Sequence, residues 1–218
     1  MSSGEELRQV QAVSEEDAAR AHLYALIGRL FHDAPDSILL AQLCRAGGAA
    51  GDDDNNAPLA QAWRALKEAC ATAYPAVLKQ EYDTLFLGVG KSEVTPYTSH
   101  YLRDIAPDRH LVRLRQQLEQ IGLGRRTAAF EAEDHVSGVC DAMRFLVERA
   151  RPLAEQRMFF NEFVYPGATA VCDAVKRATS ASFYRHVAAF ARAFLEIERE
   201  AFEMEDADVR VADEKRSR

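Results

Sequence analysis

The sequence has little of what metal proteins, secreted domains and membrane proteins carry. Its four cysteines, Cys44, Cys70, Cys140 and Cys172, lie far apart with no C-x-x-C pair. That excludes a zinc-ribbon or thioredoxin-type pattern. Each falls within a helical apolar pattern, so four reduced core thiols in a cytoplasmic protein are expected. The six histidines (22, 32, 100, 110, 135 and 186) show neither H-x-x-x-H nor H-E-x-x-H spacing, so no two imidazoles are set on one helix face toward zinc. No metal and no cofactor is expected. The start, MSSGEELRQVQAVSEED, has neither a basic head nor an apolar core, unlike a secretory signal. No apolar run approaches the roughly 18 residues of a membrane span. Positive charge is also short, 27 Lys and Arg against 34 Asp and Glu for a net −7. That balance argues against nucleic acid or an anionic membrane as the main partner.

Strand signals are missing as well. No alternating β-branched run occurs, and Ala, Leu, Glu and Arg dominate, residues that favour helices. The seven prolines (35, 58, 75, 96, 107, 152 and 166) fall where helices begin or end. With 48% hydrophobic residues in a chain of 218, there is apolar material for a sizeable core. The expectation is an all-α single-domain bundle of about eight to ten helices, with flexible tails over residues 1–13 and 204–218 and a mobile loop over residues 47–58.

Local signals place the elements. Ser14, followed by Glu15, Glu16 and Asp17, predicts the start of a first helix, with Leu23, Tyr24, Ile27, Leu30 and Phe31 as its stripe. Asp36 predicts a cap for a second. A third follows Pro58, with Leu59, Trp63, Leu66 and Cys70 on one face. A fourth follows Pro75 and carries Val77, Leu78, Tyr82, Leu85 and Phe86. Pro107 opens a helix through Leu111, Leu114, Leu118 and Ile121. The next is expected to start at residues 130–135, where three carboxylates suit the positive end of a helix. A helix through Phe159, Phe160, Phe163 and Val164 is expected to stop at Tyr165-Pro166-Gly167, and a long last helix runs from Phe183 through Phe202.

The densest stretch is residues 81–101, EYDTLFLGVGKSEVTPYTSHY. An amphipathic helix breaks at Gly88 and Gly90, and the chain then crosses Pro96 into Tyr97, Ser99 and Tyr101. Turn residues, aromatics and hydroxyls between helices suggest a binding loop on a rigid scaffold. Gly90-Lys91-Ser92 resembles the end of a phosphate-binding loop, but that loop needs its first Gly where Leu85 stands, with a strand before it. A nucleotide site is therefore the weaker alternative. A helical enzyme would draw on Asp134 and His135 with a carboxylate such as Glu81. Adjacent helical residues diverge by roughly 100°, which opposes an Asp134–His135 dyad.

Together these segments resemble the TorD/DmsD/NarJ family, all-helical maturation chaperones of redox enzymes. The resemblance rests on E-Y-x-x-L-F-x-G followed by P-Y-x-S-x-Y, on Glu131-Ala132-Glu133-Asp134-His135 against the family's E-P-x-D-H, and on Ser182-Phe183-Tyr184 before the last helix. It covers roughly residues 14–203. Ala132 departs from the usual proline, and Tyr165 from a common tryptophan. The resemblance implies a cytoplasmic chaperone rather than an enzyme. Its partners would be the twin-arginine signal peptide and the apo catalytic subunit of a molybdenum oxidoreductase. It would assist cofactor insertion and delay export until maturation is complete, acting as a monomer or domain-swapped dimer. A GTP-linked form of that chaperone would use residues 88–92. A leader with two arginines and an apolar stretch calls for carboxylates beside an apolar groove. The implied peptide-binding residues are Tyr82, Leu85, Phe86, Pro96, Tyr97, Ser99, Tyr101, Glu131, Asp134 and His135, with Glu133 adding charge.

Overall fold

The computed structural model describes residues 14–47, 57–88, 91–102, 106–124 and 133–216. Among these residues the chain forms nine α-helices, two π-helical turns and one 3-10 turn, with no strand, so the all-α expectation is borne out. No described helix is long and apolar enough to cross a membrane.

Capping fixes the first two helices where the sequence predicts them. Ser14 accepts the Asp17 amide at 3.0 Å to open α1, Glu15–His32. Asp36 accepts the Leu39 amide at 2.8 Å to open α2, Ser37–Arg45. Each side chain satisfies a backbone donor that the first turn leaves spare. Helices α3 (Pro58–Ala71), α4 (Pro75–Tyr82) and α5 (Pro107–Gln120) each begin on proline, whose missing amide is no loss there. The rest are α6 (Val136–Glu148), α7 (Leu153–Phe159), α8 (Tyr165–Arg177) and α9 (Phe183–Arg216).

The core lies where α1 runs along α6 and where α9 packs on α3 and α8. Tyr24 of α1 meets Phe194 of α9 edge-on at 4.8 Å, and Trp63 of α3 meets Phe190 at 5.2 Å. One buried carboxylate ties the ends of this assembly. Glu198 of α9 receives the Arg20 guanidinium at 2.8 and 2.9 Å and the Tyr24 hydroxyl at 2.8 Å. Burial, reinforced by Glu198, pushes the Tyr24 hydroxyl well above its ordinary pKa. A buried charge so fully hydrogen-bonded is tolerated, whereas a lone one is not.

Several local expectations are corrected. Val77 points to solvent, and Cys44 is exposed while the other three thiols are buried. The chain does not stop at Tyr165-Pro166-Gly167. A π-helical turn, Phe160–Val164, joins α7 directly to α8, with Pro166 in the first turn of α8, where proline breaks no hydrogen bond. Helix α9 continues to Arg216 rather than ending near residue 203. Residues 204–216 carry the helical backbone of α9 onward, as their helix-favouring composition allows. Residues 1–13, and residues 48–56 of the expected mobile loop, lie outside the described residues.

Candidate functional site

The stretch around residue 82 fastens three helices together. Glu81 accepts the backbone amides of Ser182 and Tyr184 at 2.8 Å and of Phe183 at 3.1 Å. It thus caps α9 from a distant part of the chain. The Tyr82 hydroxyl donates to the carbonyls of His32 at 2.6 Å and Phe31 at 3.2 Å, at the end of α1. Phe86, on the π-helical turn Asp83–Leu87, packs against Phe31 and Tyr184 with ring centroids at 5.9 and 5.3 Å. Tyr82, Leu85 and Phe86 are all buried. They form the floor of the region and do not face solvent.

After that turn the chain reverses. Gly88 sits at φ +57°, and a Cβ there would lie 2.4 Å from the Lys91 carbonyl oxygen, so the reversal requires glycine. The Val94 amide then returns to the Leu85 carbonyl at 2.8 Å. A helix, not a strand, precedes the glycine, which serves a tight chain reversal.

Residues 96–98 next pair with residues 134–136. The Val136 amide donates to the Pro96 carbonyl at 3.0 Å, and the Thr98 amide to the Asp134 carbonyl at 2.8 Å, an isolated antiparallel bridge centred on Tyr97 and His135. Their rings meet edge-on at 5.3 Å. The Asp134 carboxylate turns inward to the Ser99 amide, at 3.3 Å, and to the Ser99 hydroxyl. Thr98, fully buried, adds a hydroxyl bond to the Asp134 carbonyl at 3.0 Å. The turn Thr98–Tyr101 then sits on α8, against Gly167. A Cβ at Gly167 would fall 2.3 Å from the Thr98 Cβ, so a glycine lets the helix approach that closely.

Helix α6 therefore starts at Val136, later than the carboxylate-rich start expected at residues 130–135. His135 is its N-cap, its Nδ1 accepting the Ser137 amide at 3.1 Å. Asp134 lies in the preceding turn because its carbonyl and carboxylate are both taken by residues 98 and 99. Asp134 and His135 are 2% and 3% exposed, the first bonded to Ser99 and the second to the Ser137 amide. Glu81, the third group of the enzyme alternative, is engaged in capping α9.

The surface of this unit comes from half-buried Tyr97 and Tyr101, with Pro96 and Ser99 buried behind them. The Tyr101 hydroxyl donates to the Thr95 carbonyl at 2.9 Å, and burial raises its pKa. Glu131 lies outside the described residues. Glu133 receives the Arg115 guanidinium of α5 at 3.2 and 3.1 Å, and those bonds raise the Arg115 pKa. A second arginine of α5, Arg113, pairs with Glu162 on the π-helical turn between α7 and α8.

His110 was not foreseen as part of this region. It is fully buried from α5 against Phe163 at 5.4 Å, and neither ring nitrogen has a hydrogen-bond partner among the described residues. Burial lowers its pKa. A sequence signal existed, since residue 110 stands four before Leu114 on the buried face of α5. Glu162 offered none, being an ordinary charge within an apolar run.

A separate cleft of about 310 Å³ opens between the end of α3, α4 and the start of α9. Tyr74, Val77, Leu78, Phe183 and His186 line it, together with Glu81, and none of the implied peptide-binding residues does. Tyr74 is 74% and Val77 58% exposed there.

The sequence pattern of the nitrate reductase delta subunit family matches residues 52–196. No curated protein matches the sequence. Among solved structures, one from Archaeoglobus fulgidus, described as a candidate redox enzyme maturation protein, is similar at 22% identity and a TM-score of 0.49. The match covers 82% of this chain and 92% of that one.

Proposed function

This chain belongs to the nitrate reductase delta subunit family, the NarJ/TorD-type chaperones of redox-enzyme maturation, and from that premise we propose that it binds a twin-arginine leader. In this reading the leader belongs to the apo catalytic subunit of a molybdenum oxidoreductase. The chaperone holds that subunit in the cytoplasm until its cofactor is inserted, and delays its export.

One observation carries the reading. Two segments far apart in sequence, residues 96–101 and 133–136, are joined into one rigid unit whose outer side presents Tyr97, Tyr101 and the Glu133 carboxylate. Aromatic rings with a polar edge and a carboxylate of low exposure are what an apolar, arginine-bearing peptide requires. The buried members of the expected set, Tyr82, Leu85, Phe86, Pro96, Ser99, Asp134 and His135, act in this proposal by holding that surface in place. Glu131 is assigned to the same surface by its motif alone.

Isothermal calorimetry with a synthetic leader tests this. The probe carries two adjacent arginines followed by an apolar run of roughly 7–15 residues. Binding in the micromolar range or tighter is expected. Tyr97→Ala should weaken it about tenfold, near 1.4 kcal/mol, as for a central aromatic contact. A Lys-Lys version of the peptide should also bind more weakly. Absence of binding, or indifference to both changes, would sink the proposal.

A further inference from the structure

Resting on that reading, we infer that α5 is a built-in competitor for the leader. In the free protein, Arg113 and Arg115 occupy the two carboxylates, Glu162 and Glu133, that receive the leader's arginines.

The two ion pairs are lopsided. The arginine side chains are 51% and 47% exposed, while Glu162 and Glu133 are 27% and 11% exposed. The carboxylates are rooted in the scaffold, one on the π-helical turn and one in the turn before α6. The arginines reach them from outside. Such a pair exchanges its cation without disturbing its anion. Glu133 already holds its guanidinium through two nitrogens, 3.2 and 3.1 Å away, a fork that any arginine can reproduce.

The spacing also fits. Residues 113 and 115 are two apart on a helix and diverge by roughly 200°, so they straddle α5 to reach carboxylates on its two sides. Adjacent arginines in an extended peptide also point to opposite sides. A helical R-x-R and an extended R-R therefore present their guanidiniums in similar opposed directions.

Helix α5 buries Leu114 and His110 within its bounds and Ile121 at its end, with Leu118 packed half-buried on the core, while Val112 is 49% exposed. His110 makes the seat costly, because a buried imidazole whose two nitrogens find no hydrogen-bond partner among the described residues has lost its hydration for little return. It sits against Phe163, next to Glu162, within the electrostatic reach of Asp134, the neighbour of Glu133. That side chain, set against the segment that bears Glu162, marks a contact built to be released.

Calorimetry on the full chain with the same Arg-Arg peptide tests the inference. The exposed pair Arg113→Ala with Arg115→Ala should bind it about fivefold tighter, as expected from removing two competing surface ion pairs. Arg109→Ala, which removes one positive charge from the same helix, should alter affinity less than about twofold. Glu133→Gln with Glu162→Gln should weaken binding about tenfold or more. Unchanged or weaker binding by the double arginine variant would overturn the inference, as would an equal gain from Arg109→Ala. Wild-type binding without that gain removes this inference alone, whereas no binding by either protein removes the leader-binding reading with it.

Discussion

Removing the Asp134 carboxylate separates a residue that holds the site from one that only touches the ligand. The carboxylate is 2% exposed and takes both the amide and the hydroxyl of Ser99. Asp134→Ala removes hydrogen bonds to a charged acceptor and strands the Ser99 amide inside the protein. Bonds to charged groups contribute about 1.5–3 kcal/mol and a stranded buried donor costs about 1–3 kcal/mol. Since the two overlap, the expected loss is about 3 kcal/mol. For a chain of this size that corresponds to a Tm lower by roughly 6–12 °C. Asp134→Asn keeps one acceptor oxygen and should cost about 1 kcal/mol. Urea denaturation followed by circular dichroism reads the stability. A double-mutant cycle with Ser99→Ala should return a coupling of about 1 kcal/mol or more. Loss of leader binding in Asp134→Ala, with stability within about 0.5 kcal/mol of wild type, would refute this reasoning and make Asp134 a direct contact.

Two other perturbations have signs that follow from the structure. Glu81→Ala leaves three amides at the start of α9 uncapped and should cost about 1–2 kcal/mol, with Glu81→Gln costing less; equal losses from the two in urea melts would contradict the capping role. His110 faces Asp134 and Glu162, which favour its charged form, and Arg113, which opposes it, but burial dominates and lowers its pKa. Its contribution to the docked α5 is therefore present above the ordinary histidine value of about 6.5 and is lost as pH falls through the lowered one. Hydrogen exchange of α5 amides, corrected for intrinsic rate, should rise severalfold between about pH 7.5 and 5.5 and lose that dependence in His110→Phe; dependence that persists in the variant would reassign it to another group.

The helices were legible because their boundaries are local. Ser14 and Asp36 cap the helices that their side chains predict, and Leu59, Trp63, Leu66 and Cys70 share one buried face as their spacing requires. Tyr165-Pro166-Gly167 misled because proline in the first turn of a new helix looks, in sequence, like proline after an old one. The late start of α6 was hidden for a different reason. Asp134 and His135 suit a first turn locally, but residues 96–99 claim their backbone and carboxylate across a long loop. The same distance concealed the work of Glu81, whose partners lie about a hundred residues on. Within the site, the motifs brought residues 96–101 and 133–135 together on paper, yet periodicity could not tell which would be inward. Glu162, Arg113 and His110 belong to no motif, and only packing shows what they face.

Where the leader lies is the central question, and hydrogen exchange with and without the Arg-Arg peptide addresses it directly. The account predicts added protection across residues 97–101 and 133–136, with faster exchange in α5 as its arginines are displaced. Protection confined to the cleft of Tyr74, Val77 and Phe183, with α5 unchanged, would contradict it.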